Sequence, residues 1–178
     1  MTRFDPIDRE QATGKARELF DELEARGSVP GPMVLTMATA PALLRGYLDL
    51  SRAIKRSHID RRVSERISLA VQEWLGCAYC VEAHRRAARA LGLSEGEIRL
   101  ARHGTATDPS IAAIVAFGQQ VAVAPAEVSD EQVEQLRELG YSDEQLAEVV
   151  GLVALNVLTG AFNLVAGIHP TETARSAA

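Results

Sequence analysis

The stretch Cys77-Ala-Tyr-Cys80-Val-Glu-Ala-His84 holds the only two cysteines of the chain, three positions apart, with a histidine one helical turn past the second. Two thiols at that spacing can cycle between dithiol and disulfide, or they can hold a metal. Cys80 and His84 are four apart, so on a helix their side chains share a face. An imidazole, with an ordinary pKa of about 6.5, can take a proton from a neighbouring thiol near neutral pH. Gly76 interrupts the helical pattern just before Cys77, which sets the pair at a helix N-terminus. The partial positive charge there favours thiolate, most strongly at the first cysteine.

A third group, best a carboxylate, would orient and charge-balance the imidazole. Glu73 stands 4, 7 and 11 residues before Cys77, Cys80 and His84, so one unbroken helix would align all four. Glu65 stands 12 residues before Cys77 and reaches the site only if the chain folds back or the helix bends at Gly76. Helical spacing leaves the choice between them open.

The elements that must position these groups read as helices, with no period-2 alternation anywhere. Ala12, Ala16, Leu19, Phe20 and Leu23 form an opening amphipathic stripe, followed by the Ser28–Pro32 loop and a helix after Pro41 running to about Ser57. Asp60 can cap the next helix, whose stripe is Val63, Ile67, Leu69, Ala70 and Trp74. Ser94/Glu97, Ser129/Gln132 and Ser142/Gln145 have the spacing of capping boxes, and Asp108-Pro109 is a further helix start. Gly92-Leu-Ser and Gly140-Tyr-Ser echo each other as a glycine stop and a capped restart.

With 178 residues, 47% hydrophobic and 24% charged, the chain suits one globular all-α domain spanning 1–178. A net charge of −5 and no basic run longer than two argue against nucleic acid as a partner. Arg85, Arg86 and Arg89 have Glu82, Glu95 and Glu97 nearby and read as a solvated face. The polar N-terminus lacks the apolar core of a signal peptide, so the expected compartment is the cytoplasm. Thiols are kept reduced there, which makes a Cys-x-x-Cys a working pair rather than a staple. Val149–Ile168 is uncharged for 20 residues, the length of a membrane span, but lacks a basic anchor and an aromatic belt. It carries Asn156, Thr159 and Asn163, and is expected as a core or subunit-interface helix, not a membrane segment.

The run from Glu65 through Cys77-Ala-Tyr-Cys80-Val-Glu-Ala-His84, with Ala90-Leu-Gly-Leu-Ser-Glu-Gly-Glu-Ile98 after it, resembles the AhpD-like branch of the carboxymuconolactone decarboxylase superfamily. The resemblance implies an all-α, homo-oligomeric fold and thiol-dependent peroxidase or disulfide-reductase chemistry. It implies Cys80 as the attacking cysteine, Cys77 as the resolving one, and His84 with Glu65 as the proton relay. It also implies a hydroperoxide substrate and an external dithiol or thiol-carrier protein as reductant. Some members place a histidine before the second cysteine, where this chain has Tyr79, a poor proton shuttle at neutral pH.

Two other readings compete. A zinc module would use Cys77, Cys80 and His84 with Glu73 as fourth ligand, but structural zinc sites draw on two separated pairs and a second pair is missing. No metal or cofactor is therefore expected. A non-catalytic oligomer with the pair as a redox sensor is the third reading. His58, His103 and His169 all fall near helix ends, where a cation is favoured without further function.

Overall fold

The helix Arg61–Leu75 (α4) is the hub, buried without interruption from Val63 to Gln72. The computed structural model describes residues 2–170, all helix and connecting loop with no strand among them. Before α4 come Gly14–Glu24 (α1), Pro32–Met37 (α2) and Pro41–Ile54 (α3). After it come Ala78–Ala90 (α5), Glu95–Arg102 (α6), Pro109–Val123 (α7), a single 3-10 turn at Pro125–Glu127, Asp130–Glu138 (α8) and Asp143–Ala166 (α9).

α5, α6, α7 and α9 all pack on α4. Ile67, Ala70 and Val71 of α4 meet Ile114 and Val115 of α7 and Val149 and Val153 of α9 in the main core. On its other side, Leu69 joins Val81 and Ala88 of α5 and Ile98 of α6. α1, α2 and α3 form a separate cluster around Phe20, Met37 and Leu44, against which Phe162 of α9 packs. The α4–α7 crossing is close: a Cβ on Gly118 would stand 2.7 Å from Cγ2 of the fully buried Ile67.

The helix starts follow the sequence, with two differences. Asp60 and Asp108 each accept two backbone N–H groups at the starts of α4 and α7. Of the three expected capping boxes only Ser142/Gln145 closes both ways. Ser94 and Ser129 accept the backbone N–H of Glu97 and Gln132, but the return bonds are absent. The Glu97 carboxylate is drawn instead to Arg66 and Thr107, and Gln132 donates to Gln120. Pro32, assigned above to a loop, is the first residue of α2, where its missing N–H costs nothing. Trp74 leaves the expected buried stripe: it is 47% exposed, because the last turn of α4 lies at the periphery.

α9 is long and apolar enough to cross a membrane by length and composition. Here Leu146, Val149, Leu152 and Val153 are buried in the core, while Val150, Leu164 and Val165 face outward. Its polar residues point inward. Asn156 donates to Ser68 and receives the Gln72 side-chain amide, both on α4.

Candidate active site

Gly76 closes α4 in the left-handed conformation (φ 74°), and Cys77 caps α5 immediately afterwards. The chain therefore folds back on itself, and α5 runs antiparallel beside α4. That reversal separates the two candidate carboxylates. Glu73 is held in a two-bond ion pair with Arg102, at 2.8 and 2.9 Å. Glu65 lies buried under α5, its Oε2 2.7 Å from Nδ1 of His84 and its Oε1 3.4 Å from Nη2 of Arg61. A carboxylate on Nδ1 favours a proton there, which leaves Nε2 able to accept.

Cys77 and Cys80 are joined as a disulfide, with 5.3 Å between their Cα atoms. The Cys80 backbone N–H points at Sγ of Cys77, 3.3 Å away. Both cysteines are buried, but only Cys80 lines a cavity of about 350 Å3, together with His84, Glu65 and Tyr79. Cys77 sits behind it. α3, α4 and α9 supply the remaining walls, mostly apolar, with Met33 and Val34 of α2.

Sequence reasoning missed Asn163. Its side-chain Nδ2 donates to Sγ of Cys80 at 3.2 Å, across a buried contact between α9 and α5. Its Oδ1 is buried with no hydrogen-bond partner in the structure. The available signal was a buried-helix position carrying an amide in an otherwise apolar run. Tyr47 also lines the cavity. Burial pushes its phenol above the usual tyrosine range, against a smaller opposing effect of Ser51, so it stays a neutral donor.

The four ligands of the zinc reading are not brought together. Glu73 is committed to Arg102, His84 to Glu65, and the sulfurs to each other. Among the described residues, the side chains that do converge as potential metal ligands are His58, Glu144 and Glu148. His103 follows α6 on the surface and His169 lies exposed beyond α9; neither lines the cavity. The solvated face expected of the α5 arginines holds for Arg86 and in part for Arg89, which pairs with Glu95, whereas Arg85 and its partner Glu82 are largely covered.

Residues 41–124, from the start of α3 to the end of α7, match the carboxymuconolactone decarboxylase family. The whole fold is shared with a protein of Ralstonia eutropha JMP134 described as an alkylhydroperoxidase AhpD core and an uncharacterized peroxidase-related protein. The TM-score is 0.82 at 24% identity, covering 97% of this chain and 94% of that one. Over residues 41–124 the chain is similar to the carboxymuconolactone decarboxylase family, and its fold is that of the AhpD core.

Two further proteins resemble this chain. The uncharacterized protein YdfG of Bacillus subtilis (strain 168) is 28% identical over 118 residues, 64% of this chain and 80% of that protein. The debrominase Bmp8, in a cysteine-to-alanine variant bound to 2,3,4-tribromopyrrole, shares the fold with a TM-score of 0.76 at 20% identity, covering 99% of this chain and 95% of its own. The matched family span contains Glu65, Cys77, Cys80 and His84 but ends before α9, so Asn163 and its wall of the cavity lie outside it.

Proposed function

We propose that this chain is a thiol-dependent peroxidase that reduces hydroperoxides through a Cys77/Cys80 dithiol–disulfide cycle. The observation that carries the reading is Cys80 on the wall of an organic-sized cavity, with the His84–Glu65 couple on the same cavity and Cys77 bonded behind it. In the reduced protein His84 takes the Cys80 proton and Asn163 donates to the thiolate. The thiolate attacks the distal oxygen of the hydroperoxide; the S–O bond forms, the O–O bond breaks, and the leaving alkoxide takes the proton held by His84 to become an alcohol.

Cys80 is then a sulfenic acid. The Cys77 thiol attacks its sulfur, water leaves with the Cys77 proton, and the disulfide forms. An external dithiol, or a thiol-carrier protein of the cytoplasm, restores the pair by two exchange steps and is itself oxidised to a disulfide. Tyr79 lines the cavity where some relatives carry a second histidine, so this relay runs through His84 and Glu65 alone. Val150, Leu164 and Val165 on the outward side of α9 support assembly into a homo-oligomer, since an apolar strip of that kind is a liability on a free chain.

The test is steady-state reduction of cumene hydroperoxide by the purified protein with dithiothreitol, with mass spectrometry of the cysteine peptide. Turnover lost in both Cys77→Ser and Cys80→Ser is the expected result. A disulfide that forms and is reduced without peroxide turnover would assign the pair to disulfide exchange or redox sensing. The Bmp8 likeness supports one other substrate class for the same dithiol, a halogenated aromatic, which would gain a hydrogen and release halide as the pair is oxidised. Halide release from 2,3,4-tribromopyrrole in place of peroxide turnover would favour it.

A further inference from the structure

We infer that the cavity is built for an amphipathic anion: a molecule with an apolar body and one acidic group, the acid at Lys55 and the reacting end at Cys80. For the reaction this rests on the peroxidase reading above; for binding it stands on the cavity alone. At about 350 Å3 the cavity is far larger than hydrogen peroxide requires, since a water's share of liquid volume is only about 30 Å3. Ile54, Leu152 and Leu155 give it apolar walls suited to an organic body.

Its charges are concentrated at one end. Lys55 closes α3 and Arg61 opens α4, so the short connection between these helices puts both cations at the same rim, and both line the cavity. Both are exposed at that rim. The one carboxylate lining the cavity is Glu65, already shared between Arg61 and His84. Lys55 has no carboxylate within ion-pair distance among the described residues. The rim therefore carries an uncompensated positive charge in a chain whose net charge is −5. Low-dielectric walls focus such a charge on an entering ligand.

The span is set by the helices. Arg61 is one turn from Glu65 on α4, Glu65 is bonded to His84, and His84 is one turn from Cys80 on the antiparallel α5. Two turns put the cationic rim roughly 11 Å from the sulfur along the helix axes. A carboxylate on a medium or long hydrocarbon chain, with its hydroperoxide well removed from the acid, fits that separation.

Two measurements test this, one without chemistry. Isothermal titration of the oxidised protein with decanoate and with 1-decanol, at low ionic strength, is expected to show tighter binding of the anion by about five- to tenfold. Lys55→Glu should bring the two affinities together, and added salt should narrow the gap in the wild type. In the reduced protein, linoleate hydroperoxide should oxidise the thiols faster than its methyl ester, and Lys55→Glu should collapse that ratio. Equal affinities for decanoate and decanol, binding of neither, or a preference that survives in Lys55→Glu would overturn the inference. Decanoate preference without oxidation by any hydroperoxide would uphold the anion site and remove the peroxidase reading. Fast oxidation by both hydroperoxides without anion preference would do the reverse.

Discussion

Asn163 of α9 donates its side-chain amide to Sγ of Cys80 on α5, 3.2 Å away and 83 residues distant in sequence. Among the described residues this ties the long apolar helix directly to the cysteine pair. A buried N–H donor favours the charged form of a sulfur, and a hydrogen bond to a charged group is worth about 1.5–3 kcal/mol.

Asn163→Leu, which keeps volume and removes the donor, should therefore disfavour the Cys80 thiolate. In a Cys77→Ser background the pH profile of alkylation by iodoacetamide should move to higher pH. Its rate at neutral pH should fall about tenfold, following the lost thiolate fraction. An unmoved profile would leave Asn163 a packing residue only.

Glu65→Gln should slow thiol oxidation by peroxide about a hundredfold, because His84 loses the carboxylate that holds its Nδ1 proton. Glu73→Gln should change the rate little. Its partner Arg102 is part-exposed, and such pairs are worth about 0–1 kcal/mol. Stopped-flow oxidation at neutral pH compares the two directly, and a slow Glu73→Gln beside a normal Glu65→Gln would reverse the assignment.

In Cys77→Ser, peroxide should leave a sulfenic acid on Cys80 that dimedone traps. In Cys80→Ser, Cys77 should react far more slowly, since it is 1% exposed and does not line the cavity. Peptide mass spectrometry reads both, and fast labelling of Cys77 would exchange the roles.

Gly118→Ala should lower stability although alanine is the better helix former. The new Cβ would meet Ile67 Cγ2 at 2.7 Å in the fully buried α4–α7 crossing. Overpacking of about 1–3 kcal/mol outweighs the gain of up to about 1 kcal/mol in helix propensity. Urea unfolding should show a lower midpoint.

His58 should titrate above the ordinary histidine value, held protonated first by its hydrogen bond with Glu148 and then by the nearby Glu144 charge. A raised folded pKa means that its contribution to stability is complete below about pH 6.5 and is lost as pH rises through the raised value. Imidazole proton shifts by NMR would give that titration, and Glu148→Gln should move it down.

The all-helical fold was legible because its signals are local. Glycine stops such as Gly76, caps such as Asp60 and Asp108, and 3.6-residue stripes such as Val63, Ile67 and Ala70 depend on neighbours a few residues away. The cysteine pair and the histidine one turn on were legible for the same reason. Where a local signal competed with a distant partner, the distant partner won. Arg66 and Thr107 took the carboxylate that would have closed the Ser94 capping box, and the peripheral last turn of α4 left Trp74 in solvent.

Glu65 and Glu73 divide the two kinds of information most clearly. Spacing in the chain set Glu73 on the cysteine stripe, and family resemblance pointed to Glu65, but neither could say what each carboxylate touches. The left-handed turn at Gly76 ended the stripe and folded α5 back along α4, bringing His84 onto Glu65 and leaving Glu73 to Arg102. Asn163 and Lys55 are harder still, because their meaning depends on a cavity enclosed by helices far apart in the chain. Residue types and short-range periodicity determine which helices form. Which side chains share a cavity is settled by how those helices cross, through contacts that no local pattern records.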